Sequence, residues 1–224
     1  MNCFDIIGPV MIGPSSSHTA GACRIGKVAN LLLGCLPAKA EISFHGSFAK
    51  TYKGHGTDKA IVAGILGMDT DDERIRDSFE YARKAGVEII IRTANFEDAH
   101  PNTAKITLFS PEGERVDVLG ASIGGGEVLI RQINGMDVAV SGQHATLIVL
   151  HKDAPGTIAA VTQYLNQYFI NICNFSLARE SKGGIAVMTI EFDGSLSSAL
   201  CEEIDLLPNV MHSILLPPLA KPII

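Results

Sequence analysis

From His144 onward, apolar and polar residues alternate in a way that predicts four strands and two helices. The aliphatic and β-branched run 145–152 predicts a strand, and Pro155 with Gly156 favours the start of a helix after it. That helix has one apolar stripe at helical spacing, formed by Ile158, Val161, Leu165 and Tyr168. Further strands are predicted at 171–180, 185–193 and 209–216, with a hairpin turn at 181–184 and a helix at 196–206. The order, βαββαβ in about 75 residues, is typical of a ferredoxin-like domain.

The first part of the chain has a less regular pattern. A helix is predicted from about residue 17 to residue 33, ended by Gly34, and its apolar face consists of Ile25, Val28, Ala29, Leu32 and Leu33. A second helix begins near Thr57 or Asp58 and covers 59–67, and an amphipathic helix covers 71–84. Strands are predicted at 41–46, 87–94, 104–111 and 114–120. We therefore predict an α+β protein with two domains, residues 1–140 and residues 144–224.

Composition and charge exclude several classes of function. Hydrophobic residues make up 46% of the 224 residues and charged residues 19%, so the chain can form a core. The net charge of −6 argues against nucleic acid or an anionic membrane as a partner. No apolar run approaches the roughly 18–20 residues that span a bilayer, and the N-terminus lacks the basic region of a signal peptide. The expectation is a soluble cytoplasmic protein.

The cysteines do not form a recognisable metal motif. There are five of them, at positions 3, 23, 35, 173 and 201, and no two form a C-x-x-C pair. Neither a zinc site nor a complete iron–sulfur site is therefore indicated. We expect free thiols in a reducing compartment and no metal bound by this chain.

The stretch 13–19, GPSSSHT, is the most informative part of the sequence. Three consecutive hydroxyls precede a predicted helix, where free backbone N–H groups and the helix dipole favour a carboxylate or a phosphate. An imidazole, His18, follows them directly. The alternative is an ordinary helix N-cap with additional serines, and the sequence leaves both readings open.

A second polar stretch, 53–58, places His55 between two glycines. A lysine, a hydroxyl and a carboxylate lie nearby in the sequence, and such neighbours can bring the pKa of a histidine toward the value that a general base needs. Gly54 and Gly56 would let a ligand approach the backbone closely. A glycine-rich turn capped by Thr57 or Asp58 explains the spacing equally well.

Two further polar segments are weaker candidates. The loop 122–127, SIGGGE, can surround a small anion with backbone N–H groups, but it has neither P-loop nor dinucleotide-binding spacing. The segment 100–103, HPNT, is more typical of a turn. His45 is either structural or part of the same cleft, and we interpret the histidines of the second part as structural: His144, His151 and His212.

The sequence resembles the β chain of the bacterial iron–sulfur L-serine dehydratase. The motifs that carry the resemblance are GPSSSHTAG at 13–21, GHGTD at 54–58, HPNT at 100–103 and SIGGG at 122–126. The βαββαβ pattern with its Asp153-x-Pro155-Gly156 turn resembles an ACT domain, a regulatory module for small molecules. Together the two resemblances cover nearly the whole chain, and they imply that the first domain has the allosteric-substrate-binding fold of this family.

The resemblance implies an enzyme that converts L-serine to pyruvate and ammonia with a [4Fe–4S] cluster. Its open iron acts as a Lewis acid on the leaving hydroxyl. In two-chain members the alpha chain ligates the cluster, so this chain is expected to be half of an enzyme with an alpha-chain partner. L-serine is then the substrate or an effector, and a homodimer through the ACT domain is expected.

The resemblance also assigns roles to residues. His55 is implied as acid or base, supported by Lys53, Thr57 and Asp58. Residues that orient the substrate are implied at two places: Ser16, Ser17, His18, Thr19, Ser122, Gly124 and Gly125. In the ACT domain, effector binding is implied for Asp153, Pro155, Gly156 and Asn171.

Two other functions remain as alternatives. A purely regulatory subunit that senses amino acids is compatible with the ACT pattern and with the anion-ready helix start. A stand-alone hydrolase with a Ser-His-Asp arrangement is disfavoured, because the G-x-S-x-G spacing at 120–124 leads into a glycine loop and not into the helix of a nucleophile elbow.

Overall fold

The structure is a computed structural model that describes residues 10–194, 196–197 and 199–219. These residues form two compact units, which divide between Gly135 and Met136. We call residues 10–135 the first unit and residues 136–219 the second unit. No helix within the described ranges has the length and apolar character needed to cross a membrane.

The first unit has a sheet in which five of its strands lie in the order β2-β1-β3-β4-β5. The strands are β1 (Lys39–Phe44), β2 (Glu88–Thr93), β3 (Thr103–Phe109), β4 (Arg115–Gly124) and β5 (Glu127–Ile133). The β1–β2 pair is parallel and the other pairs are antiparallel. A parallel pair needs a long crossover connection, and here helices supply it.

The helices of the first unit follow each other closely along the chain. A π-helix (Ser16–Gly21) continues into α1 (Ala22–Leu33), and the crossover contains α2 (Gly46–His55), α3 (Thr57–Ile65), a 3₁₀-helix (Glu73–Asp77) and α4 (Ser78–Lys84). The predicted apolar face of α1 is buried along its whole length.

Helices α1 and α3 approach each other at backbone distance. A Cβ atom placed on Gly64 would collide with the carbonyl oxygen of Cys23, and one placed on Gly26 would collide with that of Ile61. Only glycine permits such an approach. The later part of α3 is thereby held against the first turns of α1, which follow the motif 13–19 in the chain.

The second unit is an antiparallel sheet with two helices. Its elements are β6 (Met136–Val140), β7 (Ala145–Lys152), α5 (Thr157–Gln167), β8 (Ile172–Arg179), β9 (Ile185–Phe192), α6 (Ala199–Asp205) and β10 (Val210–Leu216). Four strands lie in the order β10-β7-β9-β8, and all three pairs are antiparallel. The core includes Leu147, Val149, Val161, Leu165 and Ile190.

The prediction of an α+β protein is confirmed, and three details differ. Helix α2 and strands β5 and β6 were not predicted. In α2, Phe48 and Tyr52 lie one turn apart and both contact Phe44, so tertiary packing stabilises a segment rich in glycine. The predicted helix 71–84 is divided, because the side chain of Asp72 caps a separate 3₁₀-helix.

Candidate functional site

The motif 13–19 forms the start of a helix of unusual geometry. Ser15 is the N-cap, and its Oγ accepts a hydrogen bond from the His18 N–H at 3.2 Å. The turn after it, Ser16–Gly21, is a π-helix. Isolated π turns are rare and occur frequently at functional sites, because the extra residue displaces side chains from the regular helical positions. Ser16 and Ser17 are half-buried in this turn.

His18 is held in place by its neighbours on several sides. Its Nε2 atom lies 3.2 Å from Ser47 Oγ, and its Nδ1 atom lies 3.5 Å from Ser15 Oγ. The ring contacts Phe48 edge-on, with 5.2 Å between centroids. An imidazole oriented by hydroxyls on both nitrogens has a defined direction in which it can exchange a proton.

His18 and His55 lie next to each other although 37 positions separate them in the sequence. Their ring centroids are 5.0 Å apart. Burial, and then the proximity of His55, lower the pKa of His18 from its usual value of 6.5. The structure therefore brings the two strongest sequence motifs together, and it favours a neutral imidazole at His18 beside an exposed one at His55.

A cavity of about 350 Å³ lies over these two motifs. Three cationic side chains, those of Lys53, Lys59 and Arg76, line it together with His55. The other lining residues are Ile12, Gly13, Pro14, Thr19, Gly54, Gly56 and Ile75. Positive charge on several sides of a small cavity attracts an anion such as a carboxylate.

Three hydroxyl groups around this helix start are buried without a hydrogen-bond partner. They are the Oγ atoms of Thr19, Thr57 and Ser122, judged over the residues that the structure describes. Thr19 also lines the cavity, and Ser122 packs against Gly21, where a Cβ atom would collide with the Ser122 hydroxyl. Unpaired buried polar groups are costly, and they are retained most often where a ligand or a water molecule pairs with them.

The segments 100–103 and 122–126 reach the same region through the backbone. The Ser47 N–H donates to Pro101 O at 2.7 Å, and the Ser122 N–H donates to Asn102 O at 3.0 Å. At the other end of the glycine loop, buried Arg24 donates from Nη1 to Gly126 O at 2.5 Å. All four polar motifs are thus connected around the start of α1.

The remaining predicted residues of the first unit occupy more exposed positions. Lys53 is exposed, with its ammonium group 5.8 Å from the centre of the Tyr52 ring. The Asp58 carboxylate accepts from the Lys59 N–H at 2.8 Å, as expected in the first turn of α3. Gly124 and Gly125 have positive φ angles of 117° and 59°, which explains why glycine is required in this loop.

Sequence reasoning missed Ser47, Phe48 and Arg24. Ser47 and Phe48 orient His18, and Arg24 fixes the glycine loop. The only local signal for the first two was the segment 45–48, where a histidine and a glycine end a predicted strand. Their contacts with His18 join residues about 30 positions apart, and a single sequence does not contain that information.

The predicted effector residues of the second unit do not meet within one chain. The Asp153 carboxylate accepts from Arg179 Nη1 at 2.9 Å and from the Gly183 N–H at 3.0 Å, beside the last residue of β8. Pro155 and Gly156 are exposed in the turn that follows, before α5. Asn171 precedes the first residue of β8 and donates to the Asp193 carboxylate at 2.7 Å. The length of β8 separates the two sites by roughly 23 Å.

The four described cysteines do not form a ligand set for an iron–sulfur cluster. Each unit contains two of them: Cys23 and Cys35 in the first unit, Cys173 and Cys201 in the second, all as free thiols. The Cys23 thiol is buried, donates to Met68 O, and has a pKa raised to about 12 by that burial. A [4Fe–4S] cluster with one open iron still needs a thiolate on each of the other three irons, and neither unit offers three among its described residues. Cys3 lies outside the described residues.

Comparisons with known proteins agree with one another. The family model for the serine dehydratase beta chain matches residues 2–86. The chain is 49% identical to the probable L-serine dehydratase, beta chain, of Bacillus subtilis, over 93% of this chain and 94% of that one. It is 42% identical to the L-serine dehydratase, beta chain, of Peptoniphilus asaccharolyticus, over 89% and 90%. It is also 29% identical to D-3-phosphoglycerate dehydrogenase of Methanocaldococcus jannaschii, over 54% of this chain and 23% of that one.

Proposed function

Because the chain belongs to the family of L-serine dehydratase beta chains and is one subunit of such an enzyme, we propose that its first unit binds L-serine and supplies the acid–base groups of the reaction. The observation that carries this proposal is the contact of His18 with His55 beside a cavity lined by cations. A dehydratase acting on an amino acid needs both a site for the carboxylate and a base near the α-carbon.

We assign the carboxylate of L-serine to the cationic side of the cavity. Lys53, Lys59 and Arg76 line it, and the unpaired Thr19 hydroxyl provides a donor at the same place. The free N–H groups at the start of the π-helix add to the positive potential. Such a cluster orients a small amino acid with its α-carbon toward the two histidines.

We assign the removal of the α-proton to His55, with His18 as its neutral neighbour. The proton passes from Cα to an imidazole nitrogen, the Cβ–O bond breaks, and the leaving hydroxide takes a proton from the resulting imidazolium and departs as water. The resulting 2-aminoacrylate tautomerises and hydrolyses to pyruvate and ammonia. Neutral His18, oriented by Ser15 and Ser47, stabilises the adjacent imidazolium better than a second cation would.

We propose that the partner alpha chain holds the [4Fe–4S] cluster of this enzyme. Each unit described here offers two cysteines, and one of them, Cys23, is buried and hydrogen-bonded to a backbone carbonyl. The exposed side of the cavity, with Lys53 and His55, is the surface that we expect to face the alpha chain.

We propose that the second unit is an ACT domain that binds an amino-acid effector and forms a homodimer. Its βαββαβ order and the sheet order β10-β7-β9-β8 support this assignment. Asp153 and Asn171 lie at opposite ends of β8, so a ligand that contacts both of them bridges two copies of the chain. Analytical ultracentrifugation tests the dimer, and a monomeric mass at micromolar concentration would contradict it.

The first experiment is anaerobic reconstitution of this chain with its alpha chain, iron and sulfide, followed by assay of pyruvate from L-serine. We expect turnover only in the mixture. His55→Ala should lower kcat by about 10²- to 10⁴-fold, and Ser17→Ala should act mainly on KM. His212→Ala, in the second unit, is the matched control and should stay within twofold of the unmodified enzyme. Turnover of His55→Ala within a few-fold of normal would refute the role of His55.

A purely regulatory subunit remains the second candidate, and one observation favours it. The D-3-phosphoglycerate dehydrogenase of Methanocaldococcus jannaschii, whose name states a different reaction, aligns with about half of this chain. A region shared by enzymes of different chemistry suits a common regulatory role. In that case His55→Ala and Ser17→Ala would change the response to an effector and leave saturated turnover intact.

A further inference from the structure

Three chemically different donor groups meet at one end of the sheet in the second unit. His144 precedes β7, Asp193 follows β9, and Cys173 lies at the start of β8. In the strand register, Phe192 pairs with Ala145 on one side and with Ile172 on the other. The three side chains therefore come from adjacent positions on three neighbouring strands, a rigid framework for a site.

A β-bulge turns Cys173 toward this group. The register between β8 and β9 shifts between Ile172 and Asn174, so that Cys173 is the additional residue in its strand. A bulge changes the direction of one side chain and is common next to functional sites. Without the bulge, the Cys173 side chain would point to the face of the sheet that regular alternation along β8 gives it.

The three donor atoms lie close to one another. His144 Nδ1, Cys173 Sγ and an Asp193 carboxylate oxygen all lie within 4.8 Å of one another, and Nδ1 is 3.9 Å from Oδ1. Around a tetrahedral zinc ion with bonds of 2.0–2.3 Å, neighbouring donors are about 3.3–3.8 Å apart. All three side chains are at least partly exposed, so they have room to rotate toward a common ion.

A second contact fixes the carboxylate. Asn171 donates from Nδ2 to Asp193 Oδ2 at 2.7 Å, and the Asp193 N–H donates to Asn171 O at 3.0 Å. Oδ2 is thereby occupied, and the other oxygen, Oδ1, faces His144. Hydrogen bonds of this kind, which hold a ligating carboxylate in one orientation, accompany the ligands in most metal sites.

We propose that His144, Cys173 and Asp193 bind a divalent transition-metal ion of the zinc class, with a fourth position open to water or to a small ligand. Thiolate, imidazole and carboxylate together match the preferences of Zn²⁺, and the two anionic ligands neutralise its charge. A thiol gives up its proton when it ligates a cation, so binding releases a proton. The inference concerns the second unit and does not depend on the proposed function.

The test is a titration of the reduced, untagged full chain with Co²⁺, which substitutes for zinc and gives a thiolate-to-cobalt absorption band. We expect one ion per chain, a band that Zn²⁺ abolishes by competition, and proton release on binding. Cys173→Ser should remove the band, and His144→Gln and Asp193→Asn should weaken binding by at least about tenfold. Asn171→Ala should weaken it by about 10- to 100-fold, as loss of a group that orients a ligand does.

Two variants are matched controls in the same unit. Cys201→Ser removes the other described thiol of this unit. His212→Gln removes a histidine that also lies near a carboxylate, 3.2 Å from Asp205, but does not belong to the three-residue cluster. Both should leave Co²⁺ binding unchanged, and circular dichroism confirms that every variant is folded. Absence of the cobalt–thiolate band, or its survival in Cys173→Ser, would overturn the proposal.

Discussion

The two units differ in how completely their buried hydroxyl groups are paired. In the second unit, Thr189 and Ser176 bond to each other at 2.8 Å, and Ser213 donates to Cys201 O at 3.1 Å. In the first unit, three buried hydroxyls around one helix start have no partner among the residues described. Among the described residues, the second unit thus pairs its buried hydroxyls, whereas the first unit pairs some of them, such as those of Ser78 and Thr103, and leaves three unpaired.

The exceptions in the second unit support the comparison. The buried atoms without a partner there are His151 Nε2 and Asp205 Oδ1. In each case the other atom of the same group is bonded, His151 Nδ1 to Lys152 O at 2.9 Å and Asp205 Oδ2 to His212 at 3.2 Å. An unpaired buried hydroxyl costs about 1–3 kcal/mol, so the first unit needs compensating stability from other parts of its structure.

The largest expected effect tests where that stability comes from. Gly64→Ala places a methyl group against the Cys23 carbonyl, where backbone atoms cannot rotate away. Because α1 and α3 must separate, we expect a loss of about 3 kcal/mol, the upper end for overpacking. Hydrogen exchange with mass spectrometry should show faster exchange in α1 and α3 and unchanged exchange in the second unit.

Gly54→Ala is the control for this substitution. Gly54 lies inside α2, and a Cβ atom there would meet no other atom within 4 Å. We expect no loss, and a gain of up to about 1 kcal/mol from helix propensity. Equal destabilisation by both substitutions would show that close helix packing is not what stabilises the first unit.

The next effect concerns the second unit. Glu191 is buried, and its carboxylate accepts from the Ser141 N–H at 2.8 Å, from Ser141 Oγ at 2.7 Å and from Asn174 Nδ2 at 3.0 Å. Glu191→Ala leaves those donors unpaired, so we expect a loss of about 2–4 kcal/mol. Urea denaturation measures it, with exposed Glu180→Ala as the control. A loss below about 1 kcal/mol would mean that this network contributes little.

A pair of smaller changes tests the comparison directly. Ser213→Ala removes a paired hydroxyl and should cost about 1 kcal/mol, whereas Ser122→Ala removes an unpaired one and should increase stability by about 1 kcal/mol, the lower end of the cost of an unpaired hydroxyl. Turnover of the two-chain enzyme should respond in the reverse order, falling for Ser122→Ala alone. If Ser122→Ala costs as much stability as Ser213→Ala, its hydroxyl has a partner in solution.

The smallest effect concerns protonation. Burial and His55 both lower the pKa of His18, so the folded state binds this proton less well than the unfolded state does. This difference in pKa stabilises the folded state fully above pH 6.5, and its contribution decreases as the pH falls through the lowered pKa of His18. His18→Gln should remove that part of the pH dependence.

NMR titration of the imidazole provides the matching measurement. In His55→Ala the pKa of His18 should rise, without reaching its usual value, because burial still acts on it. An unchanged pKa of His18 in that variant would mean that the two rings do not interact in solution.

Local sequence patterns predicted the regular parts of this fold and the positions of its motifs. The face of α1 from Ile25 to Leu33 is buried as predicted, because helical spacing puts these residues on one side of the helix and that side packs against α3, β3 and β4. In α5 the same reasoning succeeded for Val161 and Leu165, which are buried, but Ile158 and Tyr168 are 39% and 47% exposed. A stripe of apolar residues predicts which residues share one face of a helix. The sheet against which the helix packs decides how much of that face is buried.

The site was less predictable than the fold. The glycines around His55 indicated a turn, yet Gly54 and His55 belong to the last turn of α2, and Gly56 ends that helix with a φ of 68°. The contact between Ser47 and His18 depends on packing between distant segments. The roles implied for Ser16, Ser17, Thr57 and Asp58 stay predictions until the variants are assayed.

Because Ser16–Gly21 is a π-helix, the number of residues in this segment affects where its side chains point. A π turn is equivalent to an α-helix that has absorbed a one-residue insertion. Removing one residue would restore a regular α-helical turn, in which the remaining side chains of the segment are displaced around the helix axis by up to about 100°, the angle per residue of an α-helix. Substitutions change one polar group at a time, whereas a deletion would misdirect Ser17 and His18 together. The site is therefore encoded in the number of residues as well as in their identity.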